Sequence, residues 1–378
     1  MGFFSSLPRS IQIQMKEIGV EKFLGANEIL IRKGDSDQKL YLLENGELNV
    51  QINGEIHSAF PGDVVGEIAF LDNRPRTATV TAKTSSTVLS FERESTSQQF
   101  ISDPVGLKSL INALVGLQGS RILDEAANDG HNSADYVDKL GAMALQHRAV
   151  RHPYLRAMAA GSLPSLYGAL QDFALHYYGY SAHFPRYLTA LISKLEKPEH
   201  RAALLENLTE ESGQYEEEEL TELKEFGVQP EWIVGIPHPV LFKRFRNSIG
   251  VDNTAMQDDH IEVVCRREQF LAIMNTGSAA EALGALGLGT ETIVQIIYQP
   301  FVDAIQKVGT IKPEDAVFFP LHTAVDDHHQ ATLKSIATDF AATPAGRADL
   351  AKGMFKALAL RDSFWSWLYA RAQGENGT

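Results

Sequence analysis

The stretch PGDVVGEIAFLDNRPRTATV, residues 61–80, decides the fold of the first part of the chain. Gly66 allows the backbone to approach a ligand closely, and a short helix is predicted to begin at Glu67 with its free N–H groups pointing outward. Arg76 can then donate two parallel N–H bonds to phosphate oxygens, which a lysine cannot do. The stretch therefore predicts a phosphate-binding site.

The residues around this stretch, 28–93, alternate between short β-rich runs and turn signals about every 8–12 residues, the pattern of an all-β barrel or sandwich. The runs are 29–31, 41–43, 48–52, 77–82 and 87–91. A helix is predicted to close the domain at 104–123. These features predict an N-terminal β-roll of the jelly-roll type with flanking helices, over residues 1–125.

The same stretch resembles the phosphate-binding cassette of cyclic-nucleotide-binding domains, as found in kinase regulatory subunits and catabolite-activator-type regulators. The resemblance implies that Glu67 binds the ribose 2′-hydroxyl and that Arg76 binds the cyclic phosphate. Backbone groups of Gly66, Ile68 and Ala69 complete the implied site. The alternative interpretation is a β-roll without a ligand, in which Glu67 and Arg76 form a surface pair.

Thr77, directly after Arg76, is the residue that bears on the choice of nucleotide. Its hydroxyl can bond a guanine or only the phosphate. The sequence therefore leaves both cAMP and cGMP open as the regulatory ligand.

Composition sets the class of protein and argues against several functions. The 378 residues carry a formal net charge of −14, which argues against a nucleic-acid partner. The single cysteine, Cys265, excludes a disulfide framework and a cysteine-based metal cage. No apolar run approaches the ~20 residues of a membrane span, and the start lacks the pattern of a secretory signal. We expect a cytoplasmic protein of two domains.

Beyond a polar linker at 126–133, the chain shows helical periodicity between short proline and glycine breaks, which predicts an all-α bundle over residues 134–378. This domain leaves no room for a helix-turn-helix tail that would read DNA. The predicted helices are 134–148, 151–160, 163–194, 198–214, 216–226, 238–250, 256–275, 277–286, 288–307, 313–340 and 344–372.

One of these helices carries a set of residues that suits a metal ion. His322, Asp326 and His329 are spaced i, i+4 and i+7. At about 100° per residue they fall near 0°, 40° and 340° and share one narrow stripe. Two imidazoles and a carboxylate on one inward face are the ligand chemistry of non-haem iron or manganese.

Other helices supply further candidate ligands. Glu291 lies in a largely apolar helix, Glu211 lies in the segment NLTEESG at 207–213, and His238 stands at a helix start. Helical bundles build di-iron sites by adding carboxylates and imidazoles from facing helices. The alternative is that these side chains are solvated, since 210–219 is an acidic run that suits a water-facing helix.

Residues 134–372 resemble the haem-oxygenase-like di-iron oxidases, a group of iron-containing redox enzymes. The resemblance rests on the segments 152–154 (HPY), 183–188 (HFPRYL), 211–213 (ESG) and 322–329 (HTAVDDHH), together with His238 and Glu291. It implies two iron ions, with one or both glutamates bridging, and a mixed manganese–iron centre stays open. The implied ligands of the first ion are Glu211, Glu291 and His322, and those of the second are His238, Asp326 and His329.

Two further groups of side chains have more than one interpretation. Some relatives in this group place another carboxylate before the FPR segment, where this chain offers Asp172, His176 and His183. The tyrosines 177, 178, 180 and 298 are interpreted as core residues, with a pocket lining or a redox role as the alternative.

These features predict a cyclic-nucleotide-regulated di-iron oxygenase or oxidase that uses O₂ to act on a small organic substrate. The alternatives are a cyclic-nucleotide sensor whose helical domain only binds a partner, and a sensor whose helical domain stores or senses metal. The sequence leaves open the organic substrate, the direction of nucleotide control and the oligomeric state, with a homodimer as one option.

Overall fold

The chain divides into two units, Met1–Arg121 and Ile122–Thr378. The computed structural model describes residues 3–52, 55–72, 75–100, most positions of 102–117, 130–251, 260–324 and 326–374, and it leaves the side chains of 326–330 undescribed. The predicted linker lies outside the described residues up to 129. The first helix after it begins at Ser133.

Among the described residues of the first unit, eight strands form two four-stranded antiparallel sheets, with strand orders β1-β8-β3-β6 and β2-β7-β4-β5. Their inward side chains, including the fully buried Leu48, Ala82 and Val88, form the core of a β-roll. The strands are β1 Val20–Leu24, β2 Ile29–Ile31, β3 Leu40–Asn45, β4 Leu48–Ile52, β5 Glu55–Ala59, β6 Val64–Val65, β7 Thr79–Ala82 and β8 Ser86–Phe91.

The strands that the sequence did not predict are β1, β5 and β6, and each lies at the edge of its sheet. Edge strands bury fewer side chains, so the alternation that marks a strand is weak. Four of the five residues of β1 are exposed, and β6 is only two residues long. The five strands predicted from the sequence are present, and the predicted β-roll is confirmed.

Helices flank these sheets in the first unit. The bounds are α1 Phe3–Ser6, α2 Arg9–Ile18, α3 Glu67–Asp72 and α4 Arg93–Gln99. The helix predicted at 104–123 falls partly outside the described residues, and the described positions from 105 to 117 are helical.

All the regular secondary structure among the described residues of the second unit is helical. No helix in that part of the chain, or among the other described residues, combines the length and apolarity that a membrane crossing requires. The bounds are α5 Ser133–Gln146, α6 Pro153–Ala160, α7 Leu166–Ser181, α8 Phe184–Ile192, α9 Pro198–Glu211, α10 Glu217–Glu225, α11 Pro230–Ile233, α12 His238–Ser248, α13 Ile261–Thr276, α14 Ala279–Leu283, a π-helix Gly284–Glu291, α15 Thr292–Val308, α16 Phe318–Ala324, α17 Asp326–Phe340 and α18 Pro344–Ala372.

Aromatic side chains from several helices meet in the core of this unit. The rings of Phe173 and Phe301 stack with their centroids 3.9 Å apart, and those of Tyr177 and Trp365 stack at 5.9 Å. These four residues come from α7, α15 and α18, so the core ties together helices that are far apart in sequence.

The predicted helix 163–194 is wrong as a single element, because α7 ends at Ser181 and α8 begins at Phe184. His183 and Pro185 stand at the break, and proline is favoured in the first turn of a new helix. The predicted break near residue 287 is also wrong. The chain continues there through the π-helix into α15.

Candidate metal centre and nucleotide site

Two buried side chains and one partly buried side chain, each from a different helix, meet in the second unit. Glu211 is the last residue of α9, His238 is the first residue of α12, and His322 lies in α16. One ligand atom from each lies within 4.8 Å of the other two. Oε1 of Glu211 lies 3.0 Å from Nδ1 of His238 and 3.9 Å from Nε2 of His322. The structure thus brings together half of the predicted ligand set.

Two glycines, one after α9 and one before α12, bring the end of α9 close to the start of α12. Gly213 has φ +85°, and a Cβ on it would lie 2.5 Å from the backbone nitrogen of Ile236. Its carbonyl also accepts a 2.7 Å hydrogen bond from the N–H of Gly235. The end of α9 is therefore fixed against the start of α12, which places Glu211 beside His238.

Each imidazole is oriented by a hydrogen bond on its far side. Nδ1 of His322 lies 2.7 Å from the carbonyl oxygen of Phe318, and Nε2 of His238 lies 2.7 Å from the hydroxyl of Tyr215. Such bonds are typical of histidines that ligate metals through their other nitrogen. The nitrogens left facing Glu211 are Nδ1 of His238 and Nε2 of His322.

The surroundings of one of these nitrogens indicate that the cluster suits a cation. Nδ1 of His238 is buried and makes no hydrogen bond with the described residues, although Oε1 of Glu211 is only 3.0 Å away. A buried polar atom without a hydrogen bond costs about 1–3 kcal/mol. A metal ion between the imidazole and the carboxylate would satisfy both, and this donor set fits iron, manganese or zinc.

Glu291 lines the same cavity as these three residues and is itself buried. It ends the π-helix, whose additional residue per turn changes the direction of the side chains that follow. That segment packs closely on α18: a Cβ on Gly284 would lie 2.0 Å from the carbonyl oxygen of Leu350, and one on Gly289 would lie 2.7 Å from Cβ of Ala357. Close packing therefore holds Glu291 at the cavity.

The remaining two predicted ligands, Asp326 and His329, belong to α17 by backbone position. Their side chains lie outside the described residues, and their predicted roles stay predictions.

Aromatic residues form much of the cavity wall. Three of the tyrosines are buried and also line the cavity: Tyr177, Tyr180 and Tyr298. They are therefore both core residues and part of the pocket wall. The hydroxyls of Tyr177 and Tyr298 lie 2.9 Å apart, and the Tyr298 ring meets the His322 ring edge to face at 5.6 Å. Tyr178 is buried but lies beneath Arg246 rather than at the cavity.

Two buried arginines behind this wall were not predicted. Nη1 of Arg361 donates a 3.3 Å hydrogen bond to the hydroxyl of Tyr177, and the guanidinium of Arg266 lies 4.0 Å from the Tyr180 ring centroid. Burial raises the pKa of Tyr177, but the charges of Arg361 and Arg266 outweigh burial and leave that pKa below its usual value. An arginine in an amphipathic helix is typical of a solvated face, so no sequence signal marked these two residues.

Asp172, His176 and His183 do not line this cavity. Asp172 accepts a bidentate hydrogen-bond pair from Arg371, at 2.9 Å and 2.6 Å, and lies 3.3 Å from Nε2 of His176. Burial raises the pKa of Asp172, but these two partners lower it to about 2. Asp172 therefore already has partners within the chain.

In the first unit, the side chains of Glu67 and Arg76 are both buried, with exposures of 1% and 3%. Gly66 has φ +88°, and a Cβ on it would lie 2.4 Å from Nη1 of Arg76. The predicted helix begins at Glu67 as α3, which holds Ile68 and the buried Ala69 in its first turn.

Arg76 is held by acceptors from its own chain. Its guanidinium pairs with the carboxylate of Asp37, and it donates to the carbonyl oxygens of Gly66 at 3.1 Å and Lys39 at 2.7 Å. The Asp37 pKa lies below its usual value: burial raises it, and the hydrogen bond and charge of Arg76 lower it by more. The paired N–H donors of Arg76, which were predicted to bind phosphate, therefore bind Asp37. The sequence did not indicate this contact. Thr77 is exposed beside it.

Comparisons with known proteins identify the type of each domain. Residues 171–362, just over half of the chain, match a protein family described as iron-containing redox enzyme. Residues 21–103 match the cyclic nucleotide-binding domain. The predicted pair of domain types is thereby confirmed.

Individual relatives fall into the same two groups. A 4-aminobenzoate synthase from Chlamydia muridarum is 24% identical over 206 residues, which are 54% of this chain and 78% of the relative. A 4-chloro-allylglycine synthase from Streptantibioticus cattleyicolor is 24% identical over 233 residues, which are 61% and 81% of the two chains. A cAMP-dependent protein kinase regulatory subunit from Emericella nidulans is 40% identical over 72 residues, 18% of each chain.

Proposed function

The chain belongs to the family of iron-containing redox enzymes, and from that premise we propose that its helical domain is a non-haem di-iron oxidase or oxygenase. It uses O₂ to oxidise a small organic substrate, and the N-terminal domain regulates it by binding cAMP or cGMP. The observation that carries the proposal is the cluster of Glu211, His238 and His322, with both imidazoles oriented by hydrogen bonds.

Two iron ions are proposed because Oε1 of Glu211 approaches a ligand nitrogen of each imidazole. Its Oε1 is 3.0 Å from one ligand nitrogen and 3.9 Å from the other, a position that suits a bridging carboxylate. In the proposed set, Glu211, Glu291 and His322 hold one ion. His238, Asp326 and His329 hold the other. Iron bound there supplies the O₂-dependent redox chemistry that protein side chains lack.

The substrate is proposed to be a small molecule that fits a cavity with aromatic walls. Tyr177, Tyr180, Phe184, Tyr298 and Phe318 line it. The two similar synthases are named for 4-aminobenzoate and 4-chloro-allylglycine, which are both small organic acids. Their names support a small organic acid as the class of substrate or product for this chain.

Regulation is proposed because one chain carries both domains. A nucleotide bound at Glu67 and Arg76 changes oxidase activity only if it binds more tightly to one of two states of the chain. By linkage, a nucleotide that changes the affinity of the helical cavity for its ligand has its own affinity changed by the same factor when the cavity is occupied.

The test is O₂ uptake by protein loaded with Fe(II) under anaerobic conditions, followed with an oxygen electrode after a pulse of O₂. We expect uptake by the wild-type chain, none beyond free iron for Glu211→Gln, and a rate that changes with saturating cAMP or cGMP. Glu206→Gln is the matched control, because Glu206 is exposed on the same helix. Uptake by wild type equal to that of Glu211→Gln would refute the enzyme. A rate independent of both nucleotides would refute the regulation alone.

A further inference from the structure

Two guanidinium groups are buried directly behind the cavity wall. Arg266 of α13 is 4% exposed, and Arg361 of α18 is 2% exposed. The guanidinium of Arg266 lies 4.0 Å from the ring centroid of Tyr180 and 4.3 Å from that of Phe364. Arg361 donates to the hydroxyl of Tyr177 at 3.3 Å and lies 5.8 Å from the Tyr180 ring. Both tyrosines line the cavity.

These positive charges have no anionic partner among the described residues. No described carboxylate forms an ion pair with either arginine, and Nη1 of Arg266 and Nε of Arg361 are buried without a hydrogen-bond partner there. Burial lowers the pKa of Arg266, and the charge of Arg361 lowers it further. Buried charges are retained in proteins when they are paired, so the missing partner calls for an explanation.

Two buried hydroxyls stand at the cavity wall. Oγ of Ser181 makes no hydrogen bond with the described residues, the hydroxyl of Tyr180 lies beside the side chain of Thr290, and all three residues line the cavity. Each of the two hydroxyls carries an O–H that can donate to an oxygen of a ligand. The wall therefore combines two hydroxyl donors with two uncompensated positive charges behind it.

We propose that Tyr180 and Ser181, backed by Arg266 and Arg361, form a subsite that binds the carboxylate of the organic substrate. The inference rests on the proposed function, because it assigns a substrate group to the cavity of that enzyme. A carboxylate offers one oxygen to each hydroxyl and places its charge beside the two guanidinium groups. A dianionic phosphate fits less well, because Glu211 and Glu291 line the same cavity.

The proposed metal site leaves this charge arrangement intact. Two divalent cations exceed the charge of the three proposed carboxylate ligands by one unit. The two arginines add two more positive charges, so the loaded cavity attracts an anion.

The test compares benzoate with benzamide, and propionate with propionamide, by calorimetric titration of the Mn(II)-loaded and the metal-free protein. Metal content is measured on the same samples. We expect a carboxylate to bind about tenfold or more tightly than its amide. Arg266→Met and Arg361→Met should each remove most of that preference. Ser181→Ala should weaken carboxylate binding roughly threefold to tenfold without a change in melting temperature.

The matched control is Arg347→Met, because Arg347 also lies over a tyrosine ring, that of Tyr136, but does not line or back the cavity. It should keep the full preference for carboxylates. Metal binding with no preference for either carboxylate would overturn the subsite and leave the proposed function standing. A carboxylate preference that persists in Arg266→Met, Arg361→Met and Ser181→Ala would also overturn the subsite and leave the proposed function standing. A carboxylate preference in a protein that binds no metal would support the subsite and refute the proposed function.

Discussion

The nucleotide site and the metal cavity bury charged side chains in opposite ways. In the β-roll, Arg76 is 3% exposed, and its guanidinium already meets a carboxylate and two carbonyl oxygens of the chain. In the helical unit, Nδ1 of His238 lacks a hydrogen bond among the described residues, and Arg266 and Arg361 lack a described carboxylate. The first site is electrostatically satisfied before its ligand arrives, whereas the second is completed by what it binds.

This difference gives Asp37 a clear role. It fixes the direction of the Arg76 guanidinium at the cost of occupying two of its donors. In the proposed nucleotide complex, the cyclic phosphate would meet an arginine that is already oriented, and little conformational entropy would be lost on binding. The helical cavity, by contrast, would gain the missing partners of its polar atoms from the proposed metal and substrate.

The largest expected effect is at the nucleotide site. Arg76→Gln removes the charged donors to the cyclic phosphate, and we expect a loss of nucleotide affinity of about 100-fold or more, since each charge-assisted hydrogen bond contributes about 1.5–3 kcal/mol. Calorimetric titration with cAMP and cGMP measures it. Arg32→Gln is the control, because Arg32 is exposed. Tight binding by Arg76→Gln would show that the arginine only stabilises the loop.

The next effect tests the orientation of the metal ligands. Tyr215→Phe removes the hydroxyl that lies 2.7 Å from Nε2 of His238, and we expect metal affinity to fall about 10- to 100-fold, as for other partners of ligating histidines. A Co(II) titration followed by visible absorbance measures both affinity and ligand geometry. Tyr167→Phe, at an exposed tyrosine, serves as the control. Unchanged affinity and spectrum would mean that Tyr215 does not orient His238.

A third prediction tests whether close packing on α18 stabilises the π-helix. Gly289→Ala places a methyl group 2.7 Å from Cβ of Ala357, and we expect the free energy of unfolding to fall by about 1–3 kcal/mol. Gly141→Ala on α5 is the control: a Cβ there meets no atom within 4 Å, so it should be neutral or stabilising by up to about 1 kcal/mol. Chemical denaturation compares them. Equal stability of the two variants would remove the packing explanation.

The smallest effect concerns a compensated charge inside the helical unit. Asp172 is paired with Arg371 and His176, and its pKa is lowered to about 2. A carboxyl whose pKa is lower in the folded than in the unfolded chain stabilises the fold above the unfolded pKa, near 4, and loses that contribution as the pH falls toward 2. We expect Asp172→Asn to be less stable than wild type by roughly 1 kcal/mol at pH 6, after solvent screening.

That difference should shrink as the pH is lowered from 5 to 3, measured by urea unfolding at each pH. A difference independent of pH would mean that Asp172 acts through packing alone. If the prediction holds, Asp172 is a charge whose partners lie within the chain, as Arg76 is in the β-roll.

The two regions also differ in how far the sequence predicts them. The predicted nucleotide-binding residues lie within twelve consecutive positions, 66–77. Because they are close in sequence, they could be assigned to one site from the sequence alone. Asp37 was missed because it approaches from another loop. Backbone hydrogen bonds between that turn and Arg76, from Gly34 N–H to the Arg76 carbonyl and from Arg76 N–H to the Asp35 carbonyl, fix the contact only in three dimensions.

In the helical unit, Glu211, His238 and His322 were predicted because polar ligands interrupt apolar helices and resemble a known set. Their meeting depends on three helices and could not be read from spacing. The π-helix was missed because its glycines also suit a helix break, and only close packing on α18 keeps the segment helical. Arg266 and Arg361 were missed because burial of an arginine is a tertiary property.

The number of iron ions bound per chain decides whether Glu211 bridges the proposed di-iron centre. Wild type, Glu206→Gln and Glu211→Gln are loaded anaerobically with Fe(II), freed of excess iron, and analysed for metal and protein. We expect two iron ions per chain for wild type and for Glu206→Gln, and a loss of both for Glu211→Gln. Wild type without bound iron, or Glu211→Gln that still holds two ions, would contradict it.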